Sequence, residues 1–444
     1  MKKPRKNIPP RLLWQLQFSC YDTHGKFIFT GDSNWQVMVT KLLYMLRENS
    51  ELTVVALVPE WRERGENPHI LIKEVLGELV DRVKLVCVPI YPNALRTRFD
   101  FPYTEYARAI KREHDRGKFT HVYMNDPMLT RHFRALFLVE KLGSPTFITQ
   151  THFLDSPSSK IVPAECSYWH GTVEGNLKSD VCLWHCDSMQ EFFLSELAID
   201  YNDRIVKQIA KKSAVWKSGY SIDEINRSIS LRDLRFKLPN DKHIVFVPNR
   251  IGGLGKSFDY TNNGRFMFEW ANALYERRQD FVVVAGNPSQ KILNDELAEH
   301  CKPYIKIVPT TVTRNEYRHI CAASDVVVAL YTTDTNGGLA ALEAIDLGCT
   351  PLLPNVYEYK KYFDAVKWPK DLRINPNLSD VVDVLDRILD NHSLSCSRTS
   401  DDGIRLSSVG NDVRLVKLRN HIRQTTTYEH TTHAAMQVMG LDAQ

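Results

Sequence analysis

The stretch Thr335-Asn336-Gly337-Gly338-Leu339-Ala340-Ala341-Leu342-Glu343 decides the fold. It follows an apolar run, Asp325 to Leu330, that reads as a buried strand, and it opens a segment whose Leu339, Leu342 and Ile345 recur at helical spacing. Two glycines at a strand-to-helix junction let backbone N–H groups approach a ligand with no Cβ in the way. The helix N-terminus behind them carries partial positive charge, which suits a phosphate. Glu343 lies one turn into the helix, within reach of a ribose. Phosphate at the turn and sugar hydroxyls beside it describe a nucleotide-sugar site.

Working outward, strand and helix signals alternate along the whole chain. In the first half Arg11 to Phe18, Leu52 to Val58, Val83 to Val88, His121 to Met124 and Thr146 to Thr149 read as short strands. Helices are expected from Ser33 to Arg47, with Ser33 and Gln36 as a capping box, from Tyr103 to Arg116 and from Thr130 to Leu142. The second half repeats the pattern from His243 to Pro354. Alternation of this kind predicts α/β architecture with parallel sheets and crossover helices. Charge rises and periodicity fades between Ile225 and Lys242, which predicts a linker, and a helix is expected from Asn411 to Arg423. The stripe Val381, Val384, Leu385, Ile388 and Leu389 reads as a helix face packed on a core.

The central stretch resembles the donor motif of the GT-B family of retaining nucleotide-sugar glycosyltransferases (glycosyl transferases group 1-like). Two glutamates stand eight positions apart in that family. Glu343 matches the second, whereas Thr335, with Asp334 beside it, occupies the place of the first. Gly348-Cys349-Thr350-Pro351-Leu352-Leu353-Pro354 resembles the turn and strand that come next. His243 to Pro248 resembles a strand followed by the family's basic pair, here Arg250 and Lys256, one residue further apart than usual. Phe281 to Gly286 is similar to the central strand and glycine turn. Tyr304 to Pro309, Glu316-Tyr317 and Ala322 to Asp325 resemble the segments that enclose the nucleobase, and Trp216 to Asp223 the segment closing the first domain. The resemblance covers roughly residues 175 to 390.

The resemblance implies two Rossmann-like domains whose parallel sheets face a central cleft. Residues 1–230 would bind the acceptor, 231–400 the nucleotide sugar, and 401–444 would form a helical tail crossing back to the first domain. It implies that Arg250 and Lys256 act on the donor diphosphate, with Gly337, Gly338, Leu339, Glu343, Thr335 and Pro309 around the nucleotide sugar, which is expected to be a UDP-sugar. Preorganised donors that meet charge as it develops on a leaving diphosphate are often the largest catalytic contribution. A metal is then not required and no resident cofactor is implied. On the acceptor side the family often carries a histidine at a strand end facing the reacting sugar, and His152 fits, with Asp155 and Asp126 as helpers. Gly31-Asp32-Ser33 lies at the first strand-to-helix connection, where Asp32 either faces the acceptor or caps the helix.

Rival motifs carry less. Gly252-Gly253-Leu254-Gly255-Lys256-Ser257 ends like a P-loop, but Arg250 stands where that pattern needs a glycine. Cys182, His185 and Cys186 lack a second ligand pair at metal spacing and read as residues beside Trp184. Glu429, His430 and His433 have the wrong spacing for a zinc helix.

Composition bounds the setting. A chain of 444 residues, 43% hydrophobic and 25% charged, is long enough for two or three ordinary globular cores. No apolar run reaches the roughly 18 residues that span a bilayer. The basic start, Met1 to Lys6, is followed by Arg11 and Gln15, which interrupt any secretory apolar core. Nine cysteines, an odd number, suggest free thiols in a reducing compartment, and a cytoplasmic location is expected, host cytoplasm if viral.

The acceptor is open between two classes. A basic stretch containing Arg96, Arg98, Arg108, Lys111, Arg112, Arg116, Lys118, Arg131 and Arg134 is interleaved with Phe99, Phe101, Tyr103, Tyr106 and Phe119. Cations track a phosphate backbone and aromatics stack on displaced bases. In size and in lacking a membrane segment the chain is similar to bacteriophage DNA glycosyltransferases, which modify hydroxylated bases flipped from double-stranded DNA. The favoured acceptor is therefore a 5-hydroxymethylpyrimidine base; the alternative is a surface polysaccharide or lipid-linked glycan.

Overall fold

The computed structural model describes residues 9–15, 20–21, 27–28, 33–59, 68–88, 103–151, 166–217, 219–229, 238–239, 241–250, 264–286, 302–308, 314–330, 338–391, 398–399, 405–406 and 412–442. The chain divides into two compact units, Met1–Gly219 with Tyr428–Gln444, and Tyr220–Thr427.

The first unit is built on a seven-stranded sheet in the order β5-β4-β1-β6-β7-β8-β9. Its strands are β1 (Arg11–Gln15), β4 (Thr53–Pro59), β5 (Val83–Val88), β6 (His121–Met124), β7 (Thr146–Thr151), β8 (Val181–Trp184) and β9 (Ser213–Val215). A two-residue antiparallel pair, β2 (Cys20–Tyr21) and β3 (Phe27–Ile28), lies between β1 and β4 in sequence. Every pairing in the large sheet is parallel. The strands are apolar runs because helices cover both faces, which leaves no face for polar residues. Leu12, Leu13 and Trp14 accordingly have no exposed surface. Helices α1 (Ser33–Glu48), α2 (Pro68–Leu76), α3 (Tyr103–Arg116), α4 (Pro127–Val139), α5 (Cys166–Lys178), α6 (Asp187–Asp200) and α7 (Asp203–Ala210) make the crossovers.

Two local devices fix these helices. The Arg82 guanidinium donates to the carbonyls of Leu46, Asn49 and Leu52, meeting orphan acceptors where α1 ends. Helices α4 and α5 touch closely because a Cβ on Gly175 would overlap the Pro127 carbonyl. Helix α4 starts three residues before the expected Thr130. Asp126 caps it by accepting from the Met128 N–H at 3.0 Å, and Pro127 sits in the first turn, where a missing N–H costs nothing.

The second unit has a parallel five-stranded sheet in the order β12-β11-β10-β13-β14. These strands are β10 (His243–Arg250), β11 (Phe281–Gly286), β12 (Ile305–Ile307), β13 (Val326–Val328) and β14 (Thr350–Leu352). Its helices are α8 (Ile222–Ile229), α9 (Gly264–Arg277), α10 (Arg314–Ala323), α11 (Leu339–Asp346), α12 (Tyr357–Val366), α13 (Leu378–Asp390) and α14 (Val413–Thr426). A second two-residue pair joins β15 (Arg398–Thr399) to β16 (Arg405–Leu406). One apolar core lies under α8, α10, α11, α12 and α14, and another under α9 and α13. The expected α13 stripe is buried in the latter. Helix α8 occupies the start of the stretch expected to be linker.

The last helix, α15 (Tyr428–Met439), belongs to the first unit and lies on α1. The Tyr44 hydroxyl donates to Glu429 at 2.5 Å, and the Asn49 amide donates to the Leu441 carbonyl at 2.7 Å. Among the described residues no helix is long and apolar enough to cross a membrane.

Candidate functional site

The order of the five-stranded sheet creates a switch point. From β10 the chain proceeds outward through β11 and β12, then returns to place β13 and β14 on the other side of β10. At such a point two connections leave neighbouring strand ends in opposite directions, and ligands of open parallel sheets bind in the crevice between them. Here the neighbours are β10 and β13, paired at Val245–Val326 and Phe246–Val327. Strand β10 ends at Arg250. Strand β13 leads to Gly338, the N-cap of α11. The switch point thus brings the ends that carry two of the candidate donor residues together.

Gly338 has φ +56° and ψ 64°, a left-handed conformation that suits glycine. A Cβ there would also overlap the Tyr359 hydroxyl, so two independent constraints select glycine. The first amides bonded within α11 are those of Ala341 and Leu342, both donating to the Gly338 carbonyl at 2.8 and 3.2 Å. The amides of Leu339 and Ala340 precede them, so helix geometry gives them no acceptor of their own. These half-buried residues are placed to offer N–H groups to an anion.

Glu343 lies one turn on and is only 3% exposed. Arg318 of α10 donates to it at 3.2 Å and to Glu224 of α8 at 2.8 Å, so one guanidinium joins three helices. Burial works to lower the Arg318 pKa, but Glu343 and Glu224 outweigh it and hold it above its ordinary value. Asp346, another turn along, is enclosed as well and accepts from Arg423 of α14, with Arg419 3.9 Å away. Both acids of α11 are thereby matched by arginines from other helices, which fixes the helix whose first turn faces the switch point. Sequence reading did not single out Arg318, Arg419 or Arg423; a cation set among the apolar residues of an amphipathic helix was the available signal.

Thr335, Gly337, Pro309 and Lys256 lie outside the described residues, as do Asp32, His152 and Asp155 on the acceptor side. For Arg250 the strand position is described and the side chain is not. The capping box at Ser33 and Gln36 likewise falls on side chains outside the described set. Asp126 is described, and its carboxylate serves as the α4 cap.

In the first unit the basic stretch is largely engaged by the fold. Arg131 pairs with Glu174 at 2.9 Å, Arg134 with Asp180, and Arg116 and Lys84 with the enclosed Glu113 at 2.7 and 2.9 Å. Phe119 is buried beneath Arg11, and Tyr106 packs edge-on against Phe133. These two aromatics are core components and not stacking platforms. Cys182 and Cys186 are buried beside Trp184, and burial lifts the Cys182 thiol to about 11. His433 is paired with Glu48.

The switch point, its left-handed glycine and the arginine-matched helix can be set beside known structures. The chain aligns with the Anabaena protein HepE, solved in complex with UDP, at TM-score 0.62 and 8% identity, over 97% of this chain and 99% of that one. It aligns with the E. coli trehalose-6-phosphate protein bound with UDP-2-fluoro glucose at TM-score 0.61 and 12% identity, over 97% and 98%. The fold is GT-B. A putative UDP-N-acetylglucosamine 2-epimerase from Listeria monocytogenes also aligns, at TM-score 0.51 and 10% identity over 94% and 96%. No family model matches the sequence, and no curated protein does either.

Proposed function

We propose that this chain is a glycosyltransferase that takes a sugar from a UDP-sugar and passes it to a hydroxyl acceptor with retention of configuration. The observation that carries this reading is the β10/β13 switch point with Gly338 at its edge, in a fold shared with proteins solved holding UDP or a UDP-sugar analogue. In this account the diphosphate lies against the amides of Gly337, Gly338 and Leu339, with Arg250 and Lys256 meeting its charge as the glycosidic bond breaks. The uracil lies near Pro309. Glu343 holds the ribose or, through Arg318, the helix beneath it, and Thr335 replaces a carboxylate at the sugar. The leaving phosphate takes the acceptor proton, so no dedicated base is needed, and His152 faces the reacting sugar. No metal takes part.

On the acceptor the engaged arginines and buried aromatics of the first unit favour a glycan over duplex DNA. A hydroxymethylated base is kept as the second reading because Arg108, Lys111 and Arg112 are exposed on α3. A cytoplasmic setting accords with the absence of a membrane-crossing helix among the described residues.

Purified protein incubated with UDP-sugars and candidate acceptors tests the proposal. Transfer gives UDP and a glycosylated product of unchanged anomeric configuration, and both persist in EDTA. Conversion of a UDP-sugar to its epimer without acceptor-dependent UDP release would assign the epimerase chemistry instead. A mass gain on hydroxymethylated duplex DNA alone would restore the DNA reading.

A further inference from the structure

The N-terminal edge of the first sheet gathers more positive charge than its one acid can balance. Glu113, in the last turn of α3, has no exposed surface, and four cations surround its carboxylate. Arg116 Nη1 lies 2.7 Å from Oε1 and Lys84 Nζ 2.9 Å from Oε2, with Arg112 Nε at 3.4 Å and Arg11 Nη2 at 3.8 Å. Three separate elements bring them together. Arg11 is the first residue of β1, Lys84 the second of β5, and Arg112 and Arg116 lie on α3. Crossover helices run against their strands, so the end of α3 meets the beginnings of β1 and β5. Ligands of the crevice bind at the opposite, C-terminal strand ends.

One carboxylate is set against four cations. Arg112 and Arg116 repel as like charges four positions apart on a helix. Burial lowers the Arg11 pKa, Glu113 raises it, and the charge of Arg116 lowers it again. Glu105 and Asp115, the other acids of α3, pair with none of the four among the described residues. The fold nevertheless holds the cations in place. Arg11 donates to the Glu113 carbonyl at 2.6 Å and to the Gly117 carbonyl, closing the end of α3, and its guanidinium lies 4.9 Å over the Phe119 ring. Glu113 aligns the other three. Their outer surfaces stay open, with Lys84, Arg112 and Arg116 side chains 46%, 57% and 56% exposed.

We propose that Lys84, Arg112 and Arg116, aligned by Glu113 beside Arg11, form a binding site for the phosphoryl group of a small anionic ligand, separate from the donor crevice. Guanidinium forks match phosphate oxygens in pairs, and the lysine adds a point charge. A phosphoryl dianion supplies what the cluster lacks, negative charge together with acceptor oxygens for the outward N–H groups. The cluster is compact and takes one such group, whereas duplex DNA draws on cations spread along its backbone. A soluble phosphate ester and a phospholipid headgroup share this chemistry, and the test separates them. The proposal stands apart from the transferase reading, because its residues lie at the other end of the strands.

The test is titration calorimetry with inorganic pyrophosphate on the full chain saturated with UDP, so that the donor site is already filled. If the chain binds no UDP, the same titration is read without it. Pyrophosphate is expected to bind one site. The double variant Arg112→Gln, Arg116→Gln should weaken it at least roughly tenfold, as the loss of a charge-assisted hydrogen bond does. UDP affinity and melting temperature should stay near wild type, because Lys84 and Arg11 still match Glu113. If the double variant does not fold, Arg112→Gln alone, the looser of the two contacts, should weaken binding about threefold. Lys207→Gln with Lys211→Gln removes as much charge near the opposite edge of the sheet and should leave pyrophosphate affinity unchanged. Phosphatidylcholine vesicles with and without phosphatidic acid are sedimented with the chain alongside. Pyrophosphate binding that the α3 variant loses assigns a soluble ligand; sedimentation with phosphatidic acid alone, lost in the same variant, assigns a headgroup. The proposal is overturned if neither probe binds, if the α3 variant binds as wild type does, if the Lys207 and Lys211 variant weakens binding equally, or if duplex DNA alone binds.

Discussion

Gly338 is where backbone conformation and ligand chemistry meet. Its left-handed φ and its contact with the Tyr359 hydroxyl both forbid a Cβ. Gly338→Ala is therefore expected to cost about 1–3 kcal/mol of stability from backbone strain alone. It should weaken UDP binding at least tenfold, measured by titration calorimetry beside a thermal melt. Tyr359→Phe in the same chain should recover part of the stability. Lys41 of α1 poses a different problem. It has no exposed surface, and its Nζ lies 4.4 Å over the Trp216 ring and 3.4 Å from the Trp216 carbonyl. Burial holds its pKa well below the ordinary lysine value. A lysine with a depressed folded pKa contributes stability that is present above its unfolded pKa of about 10.4 and lost as pH falls. Lys41→Met should therefore be more stable than wild type at neutral pH, and the difference should shrink as pH rises towards 10. A difference that stays constant over that range would show that the lysine is charged in the fold. Residues such as Gly338 were legible because glycine between an apolar run and a helical period has few explanations. Arg318, Arg419 and Arg423 were not, because helix packing alone brings them to Glu343 and Asp346.

At the scale of elements, helix α11 is held by arginines from α10 and α14. Arg318→Met leaves the buried Glu343 and the half-buried Glu224 without this cation, which is expected to cost about 3–5 kcal/mol in a denaturant melt. If the melt is unchanged, the guanidinium is not what joins α8, α10 and α11. Helices α4 and α5 give a purely steric counterpart. Gly175→Ala must displace the Pro127 backbone, an overpacking expected to cost about 1–3 kcal/mol, with UDP binding unaffected. Most strands and helices could be read from apolar periodicity; Val83–Val88, His121–Met124, Tyr103–Arg116 and Phe281–Gly286 fall where the sequence placed them. Boundaries went astray where chemistry overrode the apolar pattern. Asp126-Pro127 is a cap and first-turn pair, which the apolar period beginning at Thr130 does not contain. Helix α15 lies within the helical tail expected of residues 401–444, and Tyr428, Ala435, Met436 and Met439 carry its buried face.

For the whole molecule, two units with separate cores should respond to acid in the same sense. In the first, burial pushes the Glu113 carboxyl up, but Lys84, Arg116 and Arg112 outweigh it and hold it below the usual range. In the second, the Arg278 hydrogen bond draws Asp280 down against burial. Carboxylates with depressed folded pKa contribute stability that is present above the unfolded value, about 4, and lost as pH falls below it. Asp346 works in the opposite sense, since burial raises it despite Arg423 and Arg419. Melts of Glu113→Gln and Asp280→Asn should thus approach wild type as pH drops below 4. The division of each sheet at a switch point follows from strand order, which sequence periodicity does not contain, whereas the choice of parallel sheets does follow from it.

The central claim is that a UDP diphosphate lies at the N-terminus of α11, beside the end of β10. A crystal structure of the full chain grown with saturating UDP tests it most directly. A phosphate oxygen within hydrogen-bond distance of the Leu339 amide, with the ribose towards Glu343, is the expected result. UDP bound elsewhere on the chain, or no nucleotide bound at saturation, would contradict it.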